Sequence, residues 1–239
     1  MRIAVLNYSG NIGKTTIAAH MLSTRIPGAR FFAVESINEA ADTLGVDIEK
    51  LKGERFGELF RELLLSHAAI VDIGASNVEA FLGQMTRYAG SELEFDLFIV
   101  PVTGDTKVQK ETVNTILALQ AAGVGADRIQ VVFNRVESDV VEEFPIVFGF
   151  HEVNQGFGLD ARAAIPDNEV YDLLAERRMT LEAVASDKND YRAMLRDPKA
   201  KDADKRAEWA DLHTMKALAV GANSQLDLAF AAVMGRADA

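Results

Sequence analysis

Residues 7–16 read NYSGNIGKTT, and this short stretch decides the fold. The apolar run IAVL precedes it at residues 3–6, and the helix-permissive run IAAHML follows it at residues 17–22. A buried strand, a glycine-containing loop and the start of a helix are therefore predicted in that order. The N–H groups of a helix's first turn lack intrahelical partners and carry the positive end of the helix dipole, so this junction is predicted to bind an anion.

The side chains of this loop favour a phosphate group as the anion. Gly13 lets the backbone close around a phosphate, Lys14 is long enough to reach the β and γ oxygens, and the hydroxyl of Thr15 is a suitable ligand for Mg²⁺. The usual phosphate loop has a further glycine five residues before the Gly-Lys pair, where this chain has Tyr8. The predicted ligand is a nucleoside triphosphate, and the predicted binding residues are Gly10, Asn11, Ile12, Gly13, Lys14, Thr15 and Thr16.

The composition is that of an ordinary soluble globular protein, with 239 residues, 49% of them hydrophobic and 26% charged. The formal net charge is -11, so direct binding to nucleic acid is expected to be weak at most. The sequence has no cysteine, which excludes disulfides and thiolate metal sites. We recognise no signal peptide and no apolar run of membrane-spanning length, and we therefore expect a cytoplasmic protein without a membrane span.

Strand patterns and helix patterns alternate along the chain. Further apolar runs are RFFAV at residues 30–34, AAIVDI at 68–73, FDLFIVP at 95–101 and IQVVF at 129–133. The alternation predicts an α/β fold with a mostly parallel sheet flanked by helices, and with ligands at the carboxyl ends of the strands.

Two parts of the chain are harder to interpret. Residues 137–160 fit either a helix or a strand interrupted by Pro145, and both remain open. Beyond Asp187 the composition shifts to mixed charge and alanine, which is typical of solvated helices. We expect a nucleotide-binding domain at residues 1–183 and a C-terminal helical extension, packed on the same domain, at residues 184–239.

Two carboxylates are predicted at the carboxyl ends of strands. Asp72, in VDIG at residues 71–74, is placed to hold Mg²⁺ through a water molecule, although a helix N-cap or turn aspartate is an alternative interpretation. Glu35 follows the strand RFFAV directly. The predicted metal-site residues are thus Thr15 and Asp72, and the predicted catalytic residues are Lys14, Asp72 and Glu35.

With these landmarks in order, the chain resembles the ParA/MinD family of deviant-Walker ATPases. The resemblance rests on four stretches within residues 1–175, namely GNIGKTT at 10–16, VDIG at 71–74, FNR at 133–135 and IPDNEV at 165–170. It implies a three-layer P-loop NTPase fold and ATP with Mg²⁺ as the ligands. It also implies that the segment holding Asn134 and Arg135 meets the adenine ring, and that the loop holding Pro166 and Asp167 flanks the base.

The chain departs from the family pattern at two positions. The family's signature lysine, which reaches the partner's phosphates across a dimer interface, falls on Ser9, and the second of a pair of acids falls on Ile37. We therefore expect slow or partner-stimulated hydrolysis, and we leave a nucleotide-dependent homodimer open. The run VESIN at residues 34–38 resembles the StbB/TraL-like branch, which implies a switch in plasmid partition or conjugative DNA transfer with a separate DNA-binding or transfer-machinery partner.

Two other functions remain open on the sequence. One is an enzyme similar to dethiobiotin synthetase, which uses the same loop to phosphorylate a small carboxylate and needs several cations near the γ-phosphate. The other is a nucleotide-binding module without hydrolysis, which Tyr8, Ser9 and Ile37 favour.

Overall fold

The computed structural model describes residues 1–34, 49–51 and 55–237. Within these ranges seven strands form one sheet in the order β3-β2-β4-β1-β5-β6-β7, and every neighbouring pair is parallel. The strands are β1 (Arg2–Val5), β2 (Arg30–Val34), β3 (Glu49–Leu51), β4 (Ala69–Ile73), β5 (Leu97–Val102), β6 (Ile129–Val136) and β7 (Ala164–Pro166). The predicted parallel α/β fold is therefore confirmed.

Helices cover both faces of the sheet. The first, α1, is α-helical over Lys14–Thr16 and continues as a π-helical segment over Ile17–Leu22. The others are α2 (Phe56–Leu65), α3 (Val78–Arg87), α4 (Thr106–Ala121), α5 (Val140–Glu143), α6 (Pro145–Val153), α7 (Val170–Arg177), α8 (Leu181–Ala185), α9 (Tyr191–Arg196) and α10 (Ala203–Ala237). Short 3₁₀ turns lie at Ala75–Asn77, Ser91–Glu94 and Ala126–Arg128.

The three layers follow from the alternation of side chains along each strand. In and just after β1, Ala4 and Leu6 pack into a first hydrophobic cluster, to which α2, α3, α4 and α6 contribute. Ile3 and Val5 pack into a second hydrophobic cluster on the other face of the sheet, to which α1, α7, α8 and α10 contribute. Because both faces of a central parallel strand are buried, its sequence is apolar throughout, which explains the continuous run IAVL.

Residues 137–160, which the sequence left open between helix and strand, are mainly helical. The side chain of Asp139 accepts hydrogen bonds from the N–H groups of Val141 and Glu142 and so caps α5. Pro145 is the first residue of α6, where its missing N–H costs nothing because the first helical N–H groups have no intrahelical partner.

The C-terminal helix α10 is long and apolar enough to cross a membrane by length and composition alone. The expectation that no apolar run reaches that length is wrong by this measure, because residues 217–234 contain a single charged side chain, Asp227. One third of the apolar window is buried in the protein itself. Ala219, Leu226 and Val233, seven residues apart, lie in the second hydrophobic cluster, so one face of α10 is part of the core.

Leu226→Ala should destabilise the protein by about 2 to 5 kcal/mol, because it removes a fully buried side chain and leaves a cavity. The matched control is Leu228→Ala, two residues away on the exposed side of α10, which should change the free energy of unfolding by less than about 0.5 kcal/mol. Urea unfolding followed by circular dichroism measures both. Equal effects of the two substitutions would show that α10 does not pack on the body in this way.

Candidate functional site

The loop between β1 and α1 forms one wall of a cavity of about 340 Å³ at the carboxyl edge of the sheet. Gly13 is the N-cap of α1 and has a left-handed backbone with φ of 83°, which suits glycine. Within the described part of the chain no side chain caps this helix, so the N–H groups of its first turn are left for a ligand. The cavity is lined by all seven predicted phosphate-binding residues together with Gly74, Ala75 and Arg135.

A buried polar network fixes the first arm of this loop. Nδ2 of Asn7 donates to the carbonyl oxygen of Pro101 at 2.8 Å and to the hydroxyl of Thr112 at 2.7 Å, while Oδ1 accepts from the N–H of Ser9 at 2.9 Å. The N–H of Tyr8 donates to the hydroxyl of Thr115 at 3.2 Å. The contacts with Pro101, Thr112 and Thr115 join the loop to β5 and α4, about 100 residues further along the chain, and none of them was predicted from the sequence.

A second contact fixes the later part of the loop, at Ile12 and Gly13. Nδ2 of Asn134, at the carboxyl end of β6, donates to the carbonyl oxygen of Ile12 at 2.8 Å. A Cβ atom on Gly13 would collide with this amide group, so the approach requires glycine. The structure thus brings Asn134, predicted to lie near the base, into direct contact with the predicted phosphate loop.

Lys14 and Asp72 lie close together beneath the loop. Lys14 is only 7% exposed, and its Nζ donates to the carbonyl oxygen of Ser9 at 2.5 Å. Burial lowers the pKa of Lys14, and the carboxylate of Asp72 partly opposes that shift. Asp72 is itself buried in β4, where it pairs in register with Val5.

The oxygen groups near the loop fit a hard divalent cation. Thr15 lines the cavity of about 340 Å³, which we call the phosphate cavity after its predicted ligand. Asp72 is buried near the end of β4, next to β1, and so lies at the same edge of the sheet, but it is not among the residues that line the cavity. Mg²⁺ prefers oxygen ligands of this kind, usually together with phosphate oxygens and water. The third predicted catalytic residue, Glu35, lies outside the described residues, as does Ile37.

A larger pocket of about 500 Å³ adjoins the phosphate cavity and shares Gly13, Thr15, Thr16 and Arg135 with it. Three more predicted residues, Asn134, Pro166 and Asp167, line this pocket. The structure therefore gathers the two groups of predicted binding residues, those for phosphates and those for the base, on the walls of two adjoining cavities. The volume of the larger pocket, about 500 Å³, is within the range of small-molecule sites.

Several residues of this pocket were not predicted from the sequence, among them His20 and Tyr171. His20 follows Thr16 by about one helical turn, and its ring centroid lies 6.0 Å from that of Tyr171 on α7. Burial lowers the pKa of His20 to about 4 and raises that of Tyr171 to about 12, so both rings are neutral at pH 7. Nδ1 of His20 accepts a long hydrogen bond of 3.5 Å from the N–H of Leu181, which leaves the proton on Nε2.

No protein-family model and no curated protein matches this chain. Among solved structures it is similar to the cell-division ATPase MinD of Pyrococcus furiosus, with a TM-score of 0.52 and 14% identity over 90% of this chain and 97% of the other. It is also similar to the MinC:MinD cell-division complex of Aquifex aeolicus, with a TM-score of 0.52 and 13% identity over 75% and 86% of the chains.

A ParA-family ATPase from Chlorobium tepidum TLS gives a TM-score of 0.50 and 12% identity over 87% of this chain and 96% of the other. These likenesses confirm the expected MinD/ParA-like P-loop fold, in keeping with the parallel sheet and the loop after β1. At such low identities they establish the fold alone.

The buried His20 should make the stability depend on pH. The histidine pKa is 6.5 in the unfolded chain and about 4 for His20 in the folded protein, so between these values the unfolded chain binds a proton that the folded protein does not. The stability that depends on the neutral ring is therefore complete above pH 6.5 and is lost as the pH falls toward 4. The loss amounts to about 3 kcal/mol at most. We expect the urea-derived free energy of unfolding to fall less between pH 7 and pH 4.5 in His20→Gln than in the wild type.

His67→Gln, which changes an exposed histidine, is the control for this experiment and should follow the wild type. If His20→Gln has the same pH dependence as the wild type, the ring does not stay neutral inside the fold.

Proposed function

We propose that this protein is an ATP-binding molecular switch that hydrolyses ATP slowly. The observation that carries the proposal is the shared wall of the two cavities, since Gly13, Thr15, Thr16 and Arg135 belong to both. A ligand with a phosphate chain in the smaller cavity and a nucleoside in the larger one would pass continuously along these residues. The contact between Asn134 and the loop supports the same arrangement.

In this proposal Lys14 binds the β- and γ-phosphates in place of the Ser9 carbonyl that it now contacts. Thr15 would hold Mg²⁺ directly and Asp72 would hold it through a water molecule, and the bound ion would neutralise charge on the phosphates. Glu35 would order a magnesium-bound water, and the proposed reaction is phosphoryl transfer to water. Binding of ATP orders the loops that follow β1 and β4, and hydrolysis releases them.

Adenine is the proposed base because the segment of Asn134 and Arg135 resembles the adenine-contacting segment of the ParA/MinD family. No aspartate follows Asn134 at the spacing of a guanine-reading motif. The neutral Tyr171 and His20 rings give part of the pocket lining an apolar and hydrogen-bonding character that suits a nucleoside.

We further propose that the switch works in plasmid partition or conjugative DNA transfer, in the StbB/TraL-like branch, and that the protein is cytoplasmic. The support is the run VESIN at residues 34–38 and the net charge of -11, which suits a chain that acts on DNA through a separate binding protein. Residues 184–239 are proposed to belong to the same folding unit as residues 1–183, in keeping with the contacts that α10 makes with β7 and α7.

Lys14→Ala should abolish measurable binding of Mg-ATP, or weaken it by at least about a hundredfold, because charge-assisted contacts to phosphate contribute about 1.5 to 3 kcal/mol each. Isothermal titration calorimetry measures the affinity, and phosphate release measures the hydrolysis. Lys201→Ala, at an exposed lysine in the loop before α10, is the matched control and should bind ATP as the wild type does. Equal affinities for Lys14→Ala and wild type would refute the proposed function.

The Ser9→Lys substitution tests whether the ATP-bound protein associates with itself. The resemblance implies a dimer in which a lysine at this position reaches the partner's phosphates, and Ser9 supplies no such charge. We expect Ser9→Lys to raise the apparent mass in the presence of ATP relative to the wild type, with no change in ADP. Size-exclusion chromatography with light scattering checks this, and a substitution without effect on the ATP state would argue against a dimer through this face.

A further inference from the structure

Arg135 occupies an irregular position at the carboxyl end of β6. Its φ is 55°, in the left-handed region, and the register between β6 and β7 shifts between Asn134 and Val136. Neighbouring residues of a regular strand point to opposite faces, yet Asn134 and Arg135 line the same pocket. The bulge therefore re-aims Arg135 toward the cavity.

This backbone conformation is unfavourable for arginine, since glycine, asparagine and aspartate are the residues that adopt it readily. Such conformations persist where the surrounding structure imposes them, and they cluster at ligand sites. The hydrogen bond from Asn134 to Ile12 fixes the residue before it, and the N–H of Asp167, which donates to the carbonyl oxygen of Val136 at 3.1 Å, fixes the residue after it.

The guanidinium of Arg135 is exposed and, within the described ranges, makes no hydrogen bond or ion pair. It lines both cavities, at the point where they meet. Among the described residues that line the phosphate cavity, the charged side chains are Lys14 and Arg135, and both are cations. Acidic residues line the other pocket instead, namely Glu137, Asp167 and Asp172.

We propose that Arg135 is a phosphate-binding residue that this chain supplies to its own ligand at the junction of the two cavities. A guanidinium can bind two phosphate oxygens at once, which suits a group that meets the part of the phosphate chain nearest to the nucleoside. The inference rests on the proposed nucleotide site and adds a second cation, beside Lys14, to its contacts with the phosphates.

The test compares the affinities of Mg-ATP, ADP, inorganic tripolyphosphate and adenosine for the wild type, Arg135→Asn and Arg135→Lys by calorimetry. Asparagine accepts the left-handed backbone, so Arg135→Asn removes the charge without adding strain. We expect Arg135→Asn to weaken ATP, ADP and tripolyphosphate by roughly ten- to a hundredfold and to leave adenosine unchanged. Arg135→Lys should fall between the two, because it keeps the charge but not the bidentate geometry.

The matched control is Arg178→Asn, at an exposed arginine with φ of 53° that caps the end of α7 and lines neither cavity. It should bind every ligand as the wild type does. Unchanged ATP affinity in Arg135→Asn would overturn the inference. An equal loss of affinity for adenosine and ATP would also overturn it, because Arg135 would then contact the base or have only a structural role.

The two proposals fail differently in this experiment. If Lys14→Ala loses ATP and Arg135→Asn does not, the nucleotide site stands and the role of Arg135 is wrong. If tripolyphosphate binds as tightly as ATP and depends on Arg135, the phosphate site stands and the adenine pocket is wrong. A wild type that binds none of these ligands would refute both.

Discussion

The site depends on one close approach, that of the Asn134 amide to the backbone of the loop at Gly13. Strand β5 lies between β1 and β6 in the sheet, so the contact reaches across two strand spacings, about 10 Å. It is possible because Gly13 has no Cβ and adopts a left-handed backbone that directs the Ile12 carbonyl to the amide. A side chain at position 13 would be strained by the positive φ and would displace the Asn134 amide, which breaks the contact between the loop and β6.

The loop holds its shape at the cost of burying polar and charged groups. Asn7, Thr112 and Thr115 are fully buried, and their hydrogen bonds satisfy one another and the loop backbone, which limits the penalty of desolvation. Lys14 is less well compensated, because burial lowers its pKa even though Ser9 and Asp72 lie near. An anion in the cavity would favour the charged ammonium.

The sequence predicts those features of the site that depend on neighbours along the chain. The loop of residues 10–16 could be read from spacing alone, since its glycines, lysine and threonines act within one turn of backbone. The network of Asn7 with Thr112 could not, because nothing local pairs a residue with another about 100 positions away. His20 and Tyr171 were missed for a related reason, since each is an ordinary helix residue until the fold sets α1 beside α7. Residues 137–160 stayed ambiguous because Pro145 is compatible with an interrupted strand as well as with a helix start.

Helix α1 connects the larger pocket with the C-terminal helix through a short series of contacts. The ring of His20 lines the pocket, while its carbonyl oxygen accepts a hydrogen bond from Arg25 at 2.9 Å. The same guanidinium donates to the carbonyl oxygen of Asn223 at 3.0 Å and to Asp227 at 2.9 Å, both on α10. His20 belongs to the π-helical part of α1, Ile17–Leu22, and such segments are frequent at functional sites. Because one arginine closes the last turn of α1 and binds α10, a ligand that displaced α1 would have to break these bonds or move α10 with it.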